Sequence, residues 1–243
     1  MHETVTSTPS PSPAVVIVEG LIGCGKSSLA SELGAALGAG CLTLLEPDER
    51  DQANPYLASY YEDPVRWGFT MQVHLLALRY RMHLRGQWHA LNRGGPVVID
   101  RSYFGDTCFI RMLARSGKVS PDEFETYRMV YHAMTASVLL PTACVRILVS
   151  LETAAERIRR RSELRTGRRC ESVIDLDYLC ALDEEITYMV GVLSRQGVAV
   201  IDMPWDVDRE TPEQRQVAVR ALAERIQRTR PADLFLDLHR RTV

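Results

Sequence analysis

Short apolar runs alternate along the chain with longer segments in which apolar residues recur every three or four positions. Compact apolar runs of this kind are typical of strands that are buried in a parallel sheet. The pattern predicts five strands, at residues 15–18, 41–45, 96–99, 144–149 and 198–201.

The segments between these runs have helical periodicity. After the first run, apolar residues such as Leu29 and Leu33 share one helix face, and Gly38 or Gly40 is expected to end that helix. Pro64 opens a longer helical pattern, and Gly94 follows its end. Strands that alternate with helices predict an α/β fold, a five-stranded parallel sheet flanked by helices with right-handed crossovers. Helices are predicted at 26–38, 55–61, 64–92, 103–116, 121–139, 153–161, 175–195 and 212–227.

A glycine-rich segment joins the first strand to the first helix and matches the pattern G-x-x-x-x-G-K-[ST]. Its glycines let several backbone N–H groups point into one concavity, and the following helix adds the positive end of its dipole. The lysine is expected to reach the outer phosphates of a nucleotide, as a catalytic group, and the first serine to ligate Mg²⁺. The alternative is a glycine-rich turn that matches by accident. The predicted ATP-binding residues are Gly20, Gly23, Gly25, Lys26, Ser27 and Ser28.

Charged residues follow the second and third strands, at the edge of the sheet where α/β proteins bind ligands. Glu46 precedes Pro47, which cannot continue a central strand, so the chain turns there and leaves the carboxylate beside the phosphate loop. We expect Glu46 to accept a proton from an attacking hydroxyl, although a helix cap or a solvated acid is the alternative. Asp100 is expected to hold Mg²⁺ through water and Arg101 to steady phosphate charge, with a structural Asp–Arg pair as the alternative.

The composition and charge of the chain argue against several classes of protein. The chain has 243 residues, 46% of them hydrophobic, and a net charge of −2, which argues against bulk electrostatic binding to a nucleic-acid polymer. Its six cysteines contain no C-x-x-C, so neither a zinc site nor a disulfide framework is indicated, and a cytoplasmic location is expected. No apolar run is long enough to span a membrane. Residues 1–13 are predicted to be a disordered leader, 14–230 one domain and 231–243 a polar tail.

These motifs, taken together, resemble the deoxyribonucleoside kinases, the group of deoxycytidine, deoxyguanosine and deoxyadenosine kinases. The resemblance covers roughly residues 14 to 205 and implies a P-loop nucleoside kinase fold with an Arg-rich lid. It also implies transfer of the γ-phosphoryl group of ATP, with Mg²⁺, to the 5′-hydroxyl of a deoxyribonucleoside, in nucleotide salvage. The segments that carry it are 20–27, 46–47, 54–57, 60–64, 69–72 and 100–102.

The resemblance assigns roles to residues outside the strand ends. Glu46 would be the base for the 5′-hydroxyl, and Gln72 would hydrogen-bond the nucleobase. Arg79 lies two helical turns after Gln72 on the same face. Asp106 matches the acid that pairs with this arginine in members that act on purines and deoxycytidine, so thymidine is disfavoured. The alternative for Gln72 and Arg79 is a polar stripe on a solvated helix. Tyr61 and Glu171 would bind the 3′-hydroxyl, and Arg101 would also bind the substrate. Phe109 or Ile110 would pack against the nucleobase.

The arginines between residues 157 and 169 resemble the mobile lid that closes over the phosphates of ATP in this family. The candidates for phosphate contact are Arg157, Arg161, Arg165, Arg168 and Arg169, and the predicted ATP-binding residues among them are Arg161, Arg165 and Arg168. Residues 162–167 resemble an insertion in that lid, and Thr166 stands where an arginine is common. Family members are homodimers, and the helices predicted at 64–92 and 121–139 would form the interface.

Three other functions are alternatives to this one. A thymidylate-type monophosphate kinase shares the phosphate loop and both strand-end motifs, but it needs extra cationic residues near the second strand, where only Arg50 is available. A GTPase-type switch needs an Asn-Lys-x-Asp motif, which the sequence lacks. A polynucleotide 5′-kinase needs a basic track that the net charge does not support.

Overall fold

A computed structural model describes residues 14–46, 54–164, 166–206 and 211–230, with the backbone alone for 166–169. The predicted leader, the tail, Pro47, Arg50 and the side chains of Arg165 and Arg168 therefore lie outside the described residues. The strands are β1 (Val15–Glu19), β2 (Leu42–Leu44), β3 (Val97–Asp100), β4 (Ala143–Leu148) and β5 (Ala199–Pro204). The helices are α1 (Lys26–Leu37), α2 (Leu57–Glu62), α3 (Pro64–Arg93), α4 (Tyr103–Arg115), α5 (Pro121–Thr135), α6 (Leu151–Leu164), α7 (Leu176–Arg195) and α8 (Pro212–Gln227).

The five strands form one parallel sheet in the order β2-β3-β1-β4-β5. Strand β1 lies at its centre, and Val16, Ile17 and Val18 are fully buried there. Because the chain leaves β1 towards β2 on one side and later reaches β4 on the other, the strand order reverses beside β1. This reversal opens a crevice at the carboxyl ends of the strands, where the phosphate loop, Glu46 and Asp100 meet.

The predicted strands and helices are all present, and the differences lie at their ends. Helix α5 ends at Thr135 rather than at 139, because the backbone N–H of Leu139 donates to Gln87 Oε1 of α3 over 2.9 Å. Helix α6 begins two residues earlier than predicted, and Ser150 Oγ accepts from the backbone N–H of Thr153 over 3.2 Å. It also runs on to Leu164, through the start of the segment interpreted as an insertion. A 3₁₀ helix, Thr166–Val173, follows it.

Strand β5 extends to Pro204 rather than ending at 201. Asp202 interrupts the apolar run, but β5 is an edge strand, so one side chain can be exposed while Met203 is buried. Pairing with β4 continues through Ile147–Met203 and Leu148–Pro204. Within the described residues, no helix is long and apolar enough to cross a membrane.

Candidate active site

The phosphate loop between β1 and α1 has the backbone conformation that its glycines predict. Gly20, Gly23 and Gly25 have φ angles of +151°, +80° and +95°, which side-chain-bearing residues rarely adopt. An added Cβ on Gly23 would lie 2.7 Å from the carbonyl oxygen of Ala154. The loop is therefore shaped both by its own turn and by close contact with α6. Ser28, in the first turn of α1, is exposed.

The Lys26 side chain is folded back into the loop. Its ammonium group donates to the backbone carbonyls of Gly20, over 3.1 Å, and Leu21, over 2.6 Å. Burial, and then the nearby Arg101 guanidinium, lower the pKa of Lys26. To reach the outer phosphates, as predicted, Lys26 would exchange these two loop carbonyls for phosphate oxygens.

Ser27 and Asp100 form a pair of oxygen donors beside the loop. Ser27 Oγ donates to Asp100 Oδ2 over 2.6 Å, and Asp100 Oδ1 is buried with no hydrogen-bond partner among the described residues. Burial, and then the charge of Glu46, raise the pKa of Asp100. A hydroxyl next to an under-used carboxylate oxygen fits Mg²⁺, which prefers hard oxygen ligands and takes few of them from the protein.

Glu46 follows β2 and lies between two arginines. Its carboxylate forms ion pairs with Arg79 from α3 and, over 3.3 Å, with Arg101 Nε after β3. Burial opposes ionisation of this carboxyl, but Arg79 and then Arg101 outweigh it and hold the pKa of Glu46 at about 2. The side chain keeps 30% exposure, so it is ionised and accessible from the crevice.

Arg101 has the only positive φ angle among the described residues that are not glycine, at +62°. Such a conformation costs roughly 1 kcal/mol or more and persists where its surroundings hold it. The Arg101 backbone N–H donates to the carbonyl of Val18 over 3.0 Å, and the guanidinium lies 5.1 Å from the centre of the Phe109 ring. The turn therefore directs the side chain towards Glu46.

The predicted nucleobase site is buried. Arg79 forms an ion pair with Asp106 of α4 as well as with Glu46, and its side chain is only 5% exposed. The Gln72 amide is fully buried, and neither its oxygen nor its nitrogen has a hydrogen-bond partner among the described residues. This position rules out a solvated stripe, since α3 turns these polar groups inward. Ile110, from α4, is 1% exposed and belongs to the same apolar cluster as Met71.

Tyr61, Glu171 and Arg161 meet near the end of α6. Arg161 donates to Glu171 Oε2 over 2.6 Å, and Glu171 is 2% exposed. Burial, and then the Glu171 charge, raise the pKa of Tyr61 well above its usual range. The arginine predicted for ATP and the two residues predicted for the 3′-hydroxyl thus share one cluster.

Two further residues complete the site: Arg157, one of the candidate lid arginines, and Glu19, which the sequence motifs did not single out. Arg157 of α6 donates to the carbonyl of Trp205 over 3.0 Å and, more weakly, to that of Cys24 in the phosphate loop. Glu19, the last residue of β1, accepts hydrogen bonds from Ser102. In the sequence, Glu19 is an acid directly before the phosphate loop, and an acid at this position is equally typical of a solvent-exposed strand end.

A phosphate loop after the central strand, with acids and arginines at the neighbouring strand ends, defines a P-loop kinase fold. The deoxynucleoside kinase family model matches residues 16–226. The chain belongs to the deoxynucleoside kinase family, and so to a family of phosphotransferases.

Several relatives are similar over most of the chain. A deoxyadenosine kinase of Dictyostelium discoideum is 32% identical over 190 residues, which cover 78% of this chain and 71% of that protein. A deoxyadenosine/deoxycytidine kinase of Bacillus subtilis is 36% identical over 66% of this chain and 69% of its own. A deoxyguanosine kinase of D. discoideum is 30% identical over 79% of this chain, which spans just under two thirds (64%) of that longer protein.

Among solved structures, deoxyadenosine kinase from M. mycoides with bound dATP shares the fold, with a TM-score of 0.69 at 21% identity. The match covers 87% of this chain and 98% of that one.

Proposed function

We propose that the domain formed by residues 14–230 transfers the γ-phosphoryl group of ATP to the 5′-hydroxyl of a purine deoxynucleoside or deoxycytidine, in preference to thymidine. The observation that carries this proposal is the buried Arg79–Asp106 pair together with the buried amide of Gln72, which has no hydrogen-bond partner in the described part of the chain. A site that leaves buried polar groups unsatisfied discriminates strongly against the wrong nucleobase. The relatives that are named deoxyadenosine, deoxyguanosine and deoxyadenosine/deoxycytidine kinases support the same substrate class.

In this mechanism Glu46 accepts the proton of the 5′-hydroxyl as that oxygen attacks the γ-phosphorus. Arg101 reaches both Glu46 and the crevice, so it can stabilise charge on the transferring group. Lys26 and the loop N–H groups bind the outer phosphates of ATP, with Arg161 and Arg168 from the lid. Ser27 and Asp100 would hold Mg²⁺, which supplies charge neutralisation on the phosphates. Tyr61 and Glu171 orient the sugar, and Ile110 packs against the nucleobase.

The assay is phosphoryl transfer from ATP with Mg²⁺ to the four deoxynucleosides and, in parallel, to their four monophosphates. Wild type is expected to phosphorylate deoxynucleosides, and Glu46→Gln to lose about two to four orders of magnitude in kcat, the value of a general base. Arg128→Gln, which breaks an exposed pair with Glu125, is the control and is expected to keep full activity. Activity on monophosphates alone, or strong thymidine preference, would contradict the proposal.

We also propose a cytoplasmic homodimer that uses α3 and α5. Leu84, Trp88 and Leu91 follow one another by four and three residues on α3, and all are exposed, Trp88 at 54%. Met129 is 66% exposed on the neighbouring α5. These exposed apolar side chains lie on two helices that pack against each other, and a second copy can cover them by two-fold symmetry.

A further inference from the structure

Glu19 is a buried acid at the end of β1 whose hydrogen bonds lead to the active site. The residue is only 1% exposed, and its Oε1 accepts from both the backbone N–H of Ser102, over 2.8 Å, and the Ser102 hydroxyl, over 2.6 Å. Burying a carboxylate is costly unless it is well hydrogen-bonded and faces positive charge. The reason for an acid at this position therefore has to be sought in what it holds.

The surroundings are built to accept this side chain. An added Cβ on Gly105, in the first turn of α4, would lie 2.7 Å from Glu19 Oε2, so only glycine leaves room for the carboxylate. Ser102 is the N-cap of α4, and its hydroxyl also accepts from the backbone N–H of Phe104 over 3.2 Å. The carboxylate thus lies at the positive end of the α4 dipole, which favours its charge.

The residue held between these contacts is Arg101. Its backbone N–H is bonded to Val18 and the next residue, Ser102, to Glu19, so the last two residues of β1 fix both sides of the left-handed turn. Without these bonds the positive φ angle of Arg101 would relax, since nothing in its own side chain favours it. The guanidinium would then leave the position from which it contacts Glu46.

We propose that Glu19 is a positioning residue, which holds Arg101 in the conformation that points its guanidinium at Glu46 and at the transferring phosphoryl group. This inference rests on the proposed function for its effect on rate, but the conformational part does not depend on it. Glu19 acts through the Asp100-Arg101-Ser102 turn.

The test compares Glu19→Gln with Glu185→Gln, because Glu185 is equally buried and also pairs with α4, through Arg111, but lies away from the site. Glu19→Gln keeps one oxygen that can accept from Ser102 but removes the negative charge that attracts the Arg101 guanidinium. This variant is expected to lower kcat by about 10- to 100-fold, as misplacement of a catalytic group does, with KM values changed less than threefold. Glu185→Gln is expected to lose thermal stability but to keep its kcat.

A double-mutant cycle separates positioning from a general loss of structure. Arg101→Asn removes the guanidinium while keeping a residue that tolerates a positive φ angle. Adding Glu19→Gln to Arg101→Asn is expected to change kcat less than twofold. An unchanged kcat in Glu19→Gln alone, or a full extra loss in the double variant, would overturn the proposal.

A measurement without substrate tests the positioning role of Glu19 independently of the proposed function. Hydrogen exchange of the Arg101 Nε–H, assigned by its absence in Arg101→Asn, is expected to speed up at least about tenfold in Glu19→Gln, since the side chain is no longer held. Equal exchange in wild type and Glu19→Gln would refute the positioning role even if the enzyme is active. If exchange is faster in Glu19→Gln but wild type phosphorylates no deoxynucleoside, the proposed function is refuted and the positioning role is not.

Discussion

The ionisation of Glu46 is the property of this site that can be measured most directly. Two arginines hold the pKa of this carboxyl at about 2 against the opposing effect of burial. The perturbation is Arg79→Gln, which leaves Arg101 as the partner on the other side. Because an opposite charge at this range lowers a carboxyl pKa by about 1–3 units, we expect the pKa of Glu46 to rise by that amount in Arg79→Gln.

The lowered pKa of Glu46 also stabilises the folded protein. From its ordinary value of 4.5 to about 2, the pKa of Glu46 falls by about 2.5 units, which at 1.36 kcal/mol per unit is about 3 kcal/mol. Since the folded-state pKa is the lower one, this contribution is fully present above pH 4.5 and is lost as the pH falls towards 2. In Arg79→Gln the folded-state pKa of Glu46 lies closer to 4.5, so this contribution is smaller and the variant should be less stable than wild type above pH 4.5.

The assay is a ¹³C NMR titration of glutamate carboxyl groups, with Glu46→Gln to assign the signal. The wild-type Glu46 signal is expected to stay constant from pH 7 down to 4, whereas in Arg79→Gln it moves within that range. Arg128→Gln, an exposed pair elsewhere, should leave the signal unchanged. A wild-type midpoint near 4.5, or equal midpoints in wild type and Arg79→Gln, would refute the electrostatic reasoning.

Three further changes test the buried pair beside Glu46, the packing of α1 on β2 and the proposed dimer surface. Asp106→Asn leaves the buried Arg79 charge without its α4 partner and should lower the free energy of unfolding in urea by about 3–5 kcal/mol; a loss below 1 kcal/mol would contradict a tight buried pair. In Gly34→Ala the new Cβ would overlap Thr43 Oγ1, where α1 packs on β2, so the free energy of unfolding should fall by about 1–3 kcal/mol. Adding Thr43→Ala should recover most of that loss, and no recovery would show that another contact is responsible. Trp88→Glu should convert the proposed homodimer to a monomer in sedimentation velocity, and an unchanged sedimentation coefficient would exclude the α3 surface.

Local patterns were enough to predict the phosphate loop and the strand ends. Gly20 to Ser27 form a contiguous motif, and strands buried on both faces read as apolar runs whose carboxyl ends carry Glu46 and Asp100. Because parallel strands bring those ends to one edge of the sheet, proximity followed from the fold class itself. The roles given to Tyr61, Gln72 and Glu171 came from the family resemblance and stay predictions.

Other features depend on contacts between residues far apart in the chain. The Arg79–Asp106 pair was expected, but its extension to Glu46 arises only because α3 passes between the ends of β2 and α4. The role of Glu19 depends on a hydrogen bond to Ser102, 83 residues away, and the end of α5 on a bond from Leu139 to α3. A buried polar group must find a partner wherever the fold offers one, so the sequence determined which groups are present and only the tertiary structure decided which of them meet.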